Sequence, residues 1–163
     1  MLVHQKVPIA VVGGAKVKEN ATDPEAEDAC ETARNLGRNL ASRGHYVICG
    51  GRTGVMEAVC KGCMEAGGTS ICVLPENNVE QANPYCTIII PTVLGNHKSD
   101  PERNRNSVIV VGALCVFAIA GGNGTANELA LAHKHKKQIS ASIIPPDGWT
   151  PPEGCGKGLF KSW

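Results

Sequence analysis

The chain has 163 residues, a net charge of +1 and only 4% aromatic residues. That length suits one domain with a full core. The near-zero charge leaves no broad footprint for nucleic acid or an anionic membrane, the scarcity of aromatics argues against a base-stacking surface, and no apolar run reaches membrane-spanning length.

Val7–Val12 is an apolar run that reads as a first buried strand, and it ends in Gly13-Gly14. A polar, loop-like segment follows over 15–23. Thr22-Asp23-Pro24-Glu25 is a helix start, with proline early and acids in the first turn. The helix is expected over Glu25–Ser42, with Ala29, Ala33, Leu36 and Leu40 on its apolar stripe and Gly44 as its stop. His45–Cys49 is a short second strand. It runs into Gly50-Gly51-Arg52-Thr53-Gly54 and a helix over Val55–Glu65, closed by Gly67-Gly68. Ser70–Leu74 is a third strand, and Cys86–Ile90 a fourth. Between them lies a polar loop.

A loop over Pro91–Pro101 carries His97 and Asp100, and a short helix over Glu102–Val111 carries Arg103 and Arg105. Leu114–Ile119 is a fifth strand. It feeds Gly121-Gly122-Asn123-Gly124-Thr125 and then a helix over Ala126–Lys136. Ile139–Ile144 is a sixth strand. Residues 145–163 break the pattern with four prolines, several glycines and both tryptophans, and are read as an irregular tail over a neighbouring surface. Strands that alternate with helices and are apolar throughout imply a parallel sheet covered on both faces. The fold class is therefore α/β: a three-layer, doubly wound, Rossmann-like domain over residues 1–144.

Eight cysteines are present: Cys30, Cys49, Cys60, Cys63, Cys72, Cys86, Cys115 and Cys155. Several fall in strands or on apolar helix faces, where a free thiol packs as a small apolar residue. Cys60 and Cys63 have CxxC spacing, but no second pair or histidine pair completes a zinc site, and mid-helix placement removes the acidity of a redox pair. No metal is expected. The N-terminal Met1–Lys6 is not followed by a long apolar region, so a signal peptide is not expected, and reduced thiols in a cytoplasmic protein are.

Two strand–glycine–helix units place their turns at the carboxyl edge of the sheet, where ligands of such folds bind. In each, the glycines let backbone approach an anion and the free amides of the helix point at it. Gly121–Thr125 is the stronger phosphate cradle, with Thr125 at the expected N-cap. Glu128 is expected in the first helical turn. Two readings stay open for it: a capping and dipole role, or a carboxylate that acts on a bound ligand. Gly13 and Gly14, with Gly51, Arg52, Thr53 and Gly54, complete the expected ligand-binding set. A Rossmann dehydrogenase is disfavoured. Gly13-Gly14-Ala15-Lys16 lacks GxGxxG, and Cys49-Gly50 ends the second strand where an acid is required.

Gly50-Gly51-Arg52-Thr53-Gly54-Val55-Met56-Glu57-Ala58 resembles the GGxxGxM turn of the LOG-like family, and Gly121-Gly122-Asn123-Gly124-Thr125-Ala126-Asn127-Glu128 resembles its PGGxGTxxE signature. That family includes cytokinin-activating phosphoribohydrolases, proteins mislabelled as lysine decarboxylases, and molybdenum cofactor carrier proteins. The resemblance covers Val7 to about Ile144, and Gly50–Gly68 with Val73-Leu74-Pro75 is most similar to the small subfamily near the carriers. It implies a catalytic arginine and glutamate. Arg105 lies sixteen positions before Gly121, at the family's distance, and Arg105-Asn106 is similar to the small subfamily's pair; Arg103 is the competitor. Three departures stand out. Ala120 replaces the signature proline, with the phosphate turn expected intact. Leu114 stands where an aspartate is common. The tail takes the place of a C-terminal helix.

Two functions follow. One is hydrolysis of the N-glycosidic bond of a nucleoside 5′-monophosphate. The phosphate would sit on Gly121–Thr125, Arg105 would clamp oxygens and Glu128 would face the positive charge developing at C1′. The other is carriage of a phosphate-bearing ligand, the molybdenum cofactor or another nucleotide-like molecule, without turnover. Neither requires a bound cofactor for chemistry. The resemblance implies a homo-oligomer, dimer or tetramer; charge and composition give no nucleic-acid or membrane partner. Pyridoxal phosphate chemistry is disfavoured, since Lys134, Lys136 and Lys137 sit at a helix C-terminus where cations suit the dipole, as do His133 and His135. His97, in the loop before Arg105, has two open readings: a group that reaches the site, or the solvated side chain that a lone loop histidine usually is.

Overall fold

The computed structural model describes residues 6–15, 24–95 and 103–142. His97, Asp100 and the tail at 145–163 lie outside the described residues. In chain order the elements are β1 (Pro8–Gly13), α1 (Pro24–Ser42), β2 (Tyr46–Cys49), α2 (Val55–Glu65), β3 (Ser70–Leu74), β4 (Ile88–Pro91), α3 (Arg105–Gly112), β5 (Cys115–Ile119), α4 (Asn123–Lys134) and β6 (Gln138–Ser142), with a 3₁₀ turn at Val79–Gln81 between β3 and β4. The described strands form a six-stranded sheet in the order β4-β3-β2-β1-β5-β6. Every pairing is parallel. The sheet is wound outward from β1 in both directions, which is the doubly wound α/β architecture expected.

Strand alternation sorts the core into two layers. Ile9 and Val11 of β1, Val47 and Cys49 of β2 and Cys72 of β3 pack with Ala29, Ala33, Val55 and Val59 of α1 and α2. Ala10 and Val12, Ile48, Val73 and Val116 point to the opposite face, against Ile109 and Val110 of α3 and Leu129 and Ala132 of α4. Short, fully apolar strands of this kind need cover on both sides, and helices supply it in the centre of the sheet. The edge differs. Ile88, Ile89 and Ile90 of β4 are 46%, 39% and 38% exposed, so this strand is not buried as its apolar run implies. No helix of the described residues is long and apolar enough to cross a membrane.

Element boundaries move by a few residues. Leu114 lies outside β5 and is exposed; its amide bonds to the carbonyl of Pro8 just before the strand register begins. The expectation of wholly reduced thiols is corrected: Cys72 in β3 and Cys86 just before β4 are joined in a disulfide. The adjacent parallel strands bring their Cα atoms to 6.0 Å, inside the range a disulfide spans. Cys30, Cys49, Cys60, Cys63 and Cys115 are free thiols.

Candidate functional site

β1 and β5 are neighbours, yet the chain reaches β5 only after winding out to β4 and back. The crevice beyond their carboxyl ends is the switch point at which such sheets bind ligands. A cavity of about 400 Å³ opens there, a size suited to a small molecule. Its walls are Gly13, Gly14 and Ala15 after β1, Arg52 and Met56 at the start of α2, Asn104–Asn106 at the start of α3, and Gly122–Thr125 with Asn127 and Glu128 from α4.

The α4 wall is built by the second glycine turn. Gly122 is the N-cap residue, and its carbonyl accepts from Ala126 N at 3.0 Å. No side chain caps this end. The amides of the first turn, Asn123 to Thr125, therefore have no intrahelical acceptor and no capping side chain at the N-cap, the arrangement that favours an anion. Two expectations are corrected here. Thr125 is not the N-cap; the helix begins two residues earlier, and Thr125 is buried in its first turn. Glu128 is in the second turn, with no acid in the first, so it is too far along to cap the helix. It lies one turn below Gly124 and Thr125 on the same face. The turn itself also departs from the signature. Ala120 has φ 42°, a left-handed conformation that a proline, held near −65°, cannot adopt. The entry to the turn is thus one that the signature proline could not make.

Glu128 and Arg105 are each 7% exposed, deep for charged residues. Burial pushes the Glu128 carboxyl up to about 7, and the Arg105 guanidinium pulls partly the other way. Burial lowers the Arg105 pKa, while Glu128 supports its charge. Arg105 is the first residue of α3, and the preceding Asn104 caps that helix by accepting from Asn106 N at 3.0 Å. From there the guanidinium reaches back to the sheet, where Nη1 donates to Val73 O at 3.1 Å. Its Nε is buried with no hydrogen-bond partner among the described residues. Arg103 is exposed. Of the two arginines, Arg105, the one at the sixteen-residue spacing, is the one that lines the cavity.

The first glycine turn supports the site more than it lines it. A Cβ at Gly50 would meet the Arg105 guanidinium and the Met56 sulfur, so the absence of a side chain there is what lets Arg105 lie across the strand end. Gly51, at φ 64°, packs on Cys72 and Cys86, and Gly54 is the N-cap of α2 at φ 70°. Thr53 Oγ1 donates to Ala15 O at 2.7 Å, tying this turn to the one after β1. Gly121 lies behind the α4 turn against Thr125. Of the expected ligand-binding set, Gly13, Gly14, Arg52, Gly122, Asn123, Gly124 and Thr125 line the cavity; Gly51, Thr53, Gly54 and Gly121 shape the turns behind it.

Sequence reasoning missed Asn83, Asn104 and Asn127. Asn83 Nδ2 donates to both Gly51 O and Arg52 O at 3.0 Å, holding the turn from the loop before β4. Asn127 Oδ1 accepts from Asn106 Nδ2 at 3.2 Å and joins α3 to α4 at the cavity wall. Asn104 carried a readable signal, an N-cap residue before an apolar helix. Asn83 and Asn127 carried none, because their partners are distant in the chain.

Comparison with known proteins agrees with this geometry. The SLOG cluster4 family matches residues 6–144. A protein of Archaeoglobus fulgidus is 35% identical over 120 residues, 74% of each chain. The molybdenum cofactor carrier protein of Chlamydomonas reinhardtii is 34% identical with a TM-score of 0.70, over 85% of this chain and 77% of that one. The molybdenum cofactor binding protein of Rippkaea orientalis is 33% identical with a TM-score of 0.73, over 87% and 79%. With both glycine turns and the buried Arg105–Glu128 pair in one crevice, the chain belongs to the SLOG cluster4 family, a LOG-related group.

Proposed function

We propose that the protein binds and carries a small phosphate-bearing, nucleotide-like ligand of the molybdenum cofactor class, its phosphate held on the Gly122–Thr125 turn. The observation that carries this reading is the convergence of an uncapped helix N-terminus and a buried guanidinium on one cavity. Amides and guanidinium are both charge-assisted donors to phosphate oxygens. Glu128 fits the same picture. A carboxyl with a pKa near 7 takes up a proton when an anion arrives, and then donates to that anion instead of repelling it. The similarity to two molybdenum cofactor proteins supports carriage.

A second reading, hydrolysis of a nucleoside 5′-monophosphate, draws on the same carboxyl. A group titrating near neutral pH suits general acid–base work. It suits stabilisation of an oxocarbenium-like charge less well, because half of it is neutral at pH 7. Carriage is therefore the better supported role. The exposed isoleucines of β4 support a homo-oligomer as the working state.

Native mass spectrometry of gently purified protein tests the proposal. An intact pterin phosphate or nucleotide leaving with the chain is the expected result. A preparation that carries nothing and releases free base from a nucleoside monophosphate would overturn carriage in favour of the hydrolase.

A further inference from the structure

The CxxC pair does not close on itself. Cys60, on α2, turns instead toward β2 and β3: its Sγ is 3.5 Å from that of Cys49 and 3.6 Å from that of Cys72. The three Sγ atoms all lie within 4.8 Å of one another, and all three residues are wholly buried. We propose that Cys49, Cys60 and Cys72 are the ligands of a site for a thiophilic closed-shell cation, copper(I) or zinc(II), in protein whose Cys72–Cys86 bond is reduced.

The spacing suits the chemistry. Thiolates around zinc, each at about 2.3 Å, lie roughly 3.8 Å apart in a tetrahedral site. Soft thiolate sets select copper(I) and zinc over harder ions, and oxygen-preferring ions gain nothing here. The ligands come from three consecutive elements around one glycine turn, so the site is preorganised by the sheet and by α2. Cys86 is covalently bound to Cys72, so reduction frees a fourth sulfur beside the other three.

Opening the site requires a dithiol reductant of the thioredoxin class. Two electrons and two protons pass to the Cys72–Cys86 bond, two thiols form, and the reductant leaves as its own disulfide. Each thiol that then binds the ion releases its proton to solvent. The ion would sit directly beneath the first glycine turn, because Gly51 N donates to Cys49 Sγ at 3.4 Å and Cys86 Sγ lies 3.6 Å from Gly51 O. Disulfide and metal are thus alternative clamps on one turn.

The test uses the full chain, reduced with a phosphine and kept anaerobic. Copper(I) and, separately, zinc(II) are titrated against chromophoric chelators. Uptake of about one ion per chain is expected, with sulfur-to-copper charge-transfer absorption in the near ultraviolet. Cys60→Ser loses the uptake, whereas Cys63→Ser, buried on the same helix, keeps it. If Cys60→Ser does not fold, X-ray absorption of the loaded wild type decides: three or more sulfur neighbours support the site, and fewer than three overturn it. Uptake unchanged in a folded Cys60→Ser, or no uptake of either ion by wild type, also overturns it.

Discussion

Glu128 is the residue whose environment says most about what the site does. Its carboxyl is pushed up to about 7 in the folded chain from the ordinary 4.5, because burial disfavours its charge. The folded state therefore keeps a proton that the unfolded chain releases between those values. Stability from this group is unaffected below pH 4.5, falls as pH rises toward 7, and is lower by about 3 kcal/mol above it. Glu128→Gln removes the penalty. Its melting temperature is expected to exceed that of wild type at pH 8 and to match it at pH 4.5; equal values at both would show that the carboxyl is not desolvated. Arg105 works in the opposite sense. Arg105→Lys keeps a cation but loses the planar fork, and calorimetric titration with a phosphate-bearing ligand is expected to show binding weaker by about 1.5–3 kcal/mol, tenfold or more.

At the scale of the element, the two glycine turns differ in task. The α4 turn presents amides to the cavity; the turn before α2 makes room for Arg105 and ties the strand ends together. Gly50→Ala puts a methyl into the guanidinium, so it should impair ligand binding as Arg105→Lys does although Gly50 is not itself a cavity residue. Ligand affinity equal to wild type in Gly50→Ala would show that the arginine can bind from another position. Asn83→Ala removes the donors to Gly51 O and Arg52 O and the acceptor for Tyr85 N. A loss of about 1–2 kcal/mol in urea unfolding is expected from removing these side-chain hydrogen bonds, while Gly51 O keeps the backbone amide of residue 83 as a donor.

At the scale of the molecule, β4 forms an apolar edge of the sheet that no other described residues cover. β4 presents three consecutive isoleucines, with Val93 beside them, along a strand whose outer hydrogen-bonding groups have no neighbour in the sheet. Edges of this kind are covered by partners or blunted by charge. Ile89→Lys is expected to shift the protein toward monomer in light scattering coupled to size exclusion, with the circular dichroism spectrum unchanged. A wild type that is already monomeric would assign no partner to this edge.

Much of this was written in local patterns. Short apolar runs, three of them leading into glycine and three into proline, placed the six described strands near their positions, because the central parallel strands, buried on both faces, leave a strong hydrophobic signal. The two motifs and the sixteen-residue interval brought Arg105 and Glu128 forward before any contact was known. Local pattern misplaced the start of α4 and so made Glu128 a first-turn residue. Without a capping side chain, no residue marks where that helix begins. The clearance at Gly50, the clamp from Asn83, the gathering of Cys49, Cys60 and Cys72, and the burial that holds Glu128 near 7 were settled only by the fold. Each depends on residues that are apart in the chain, and desolvation is a property of the packed interior rather than of neighbours in sequence.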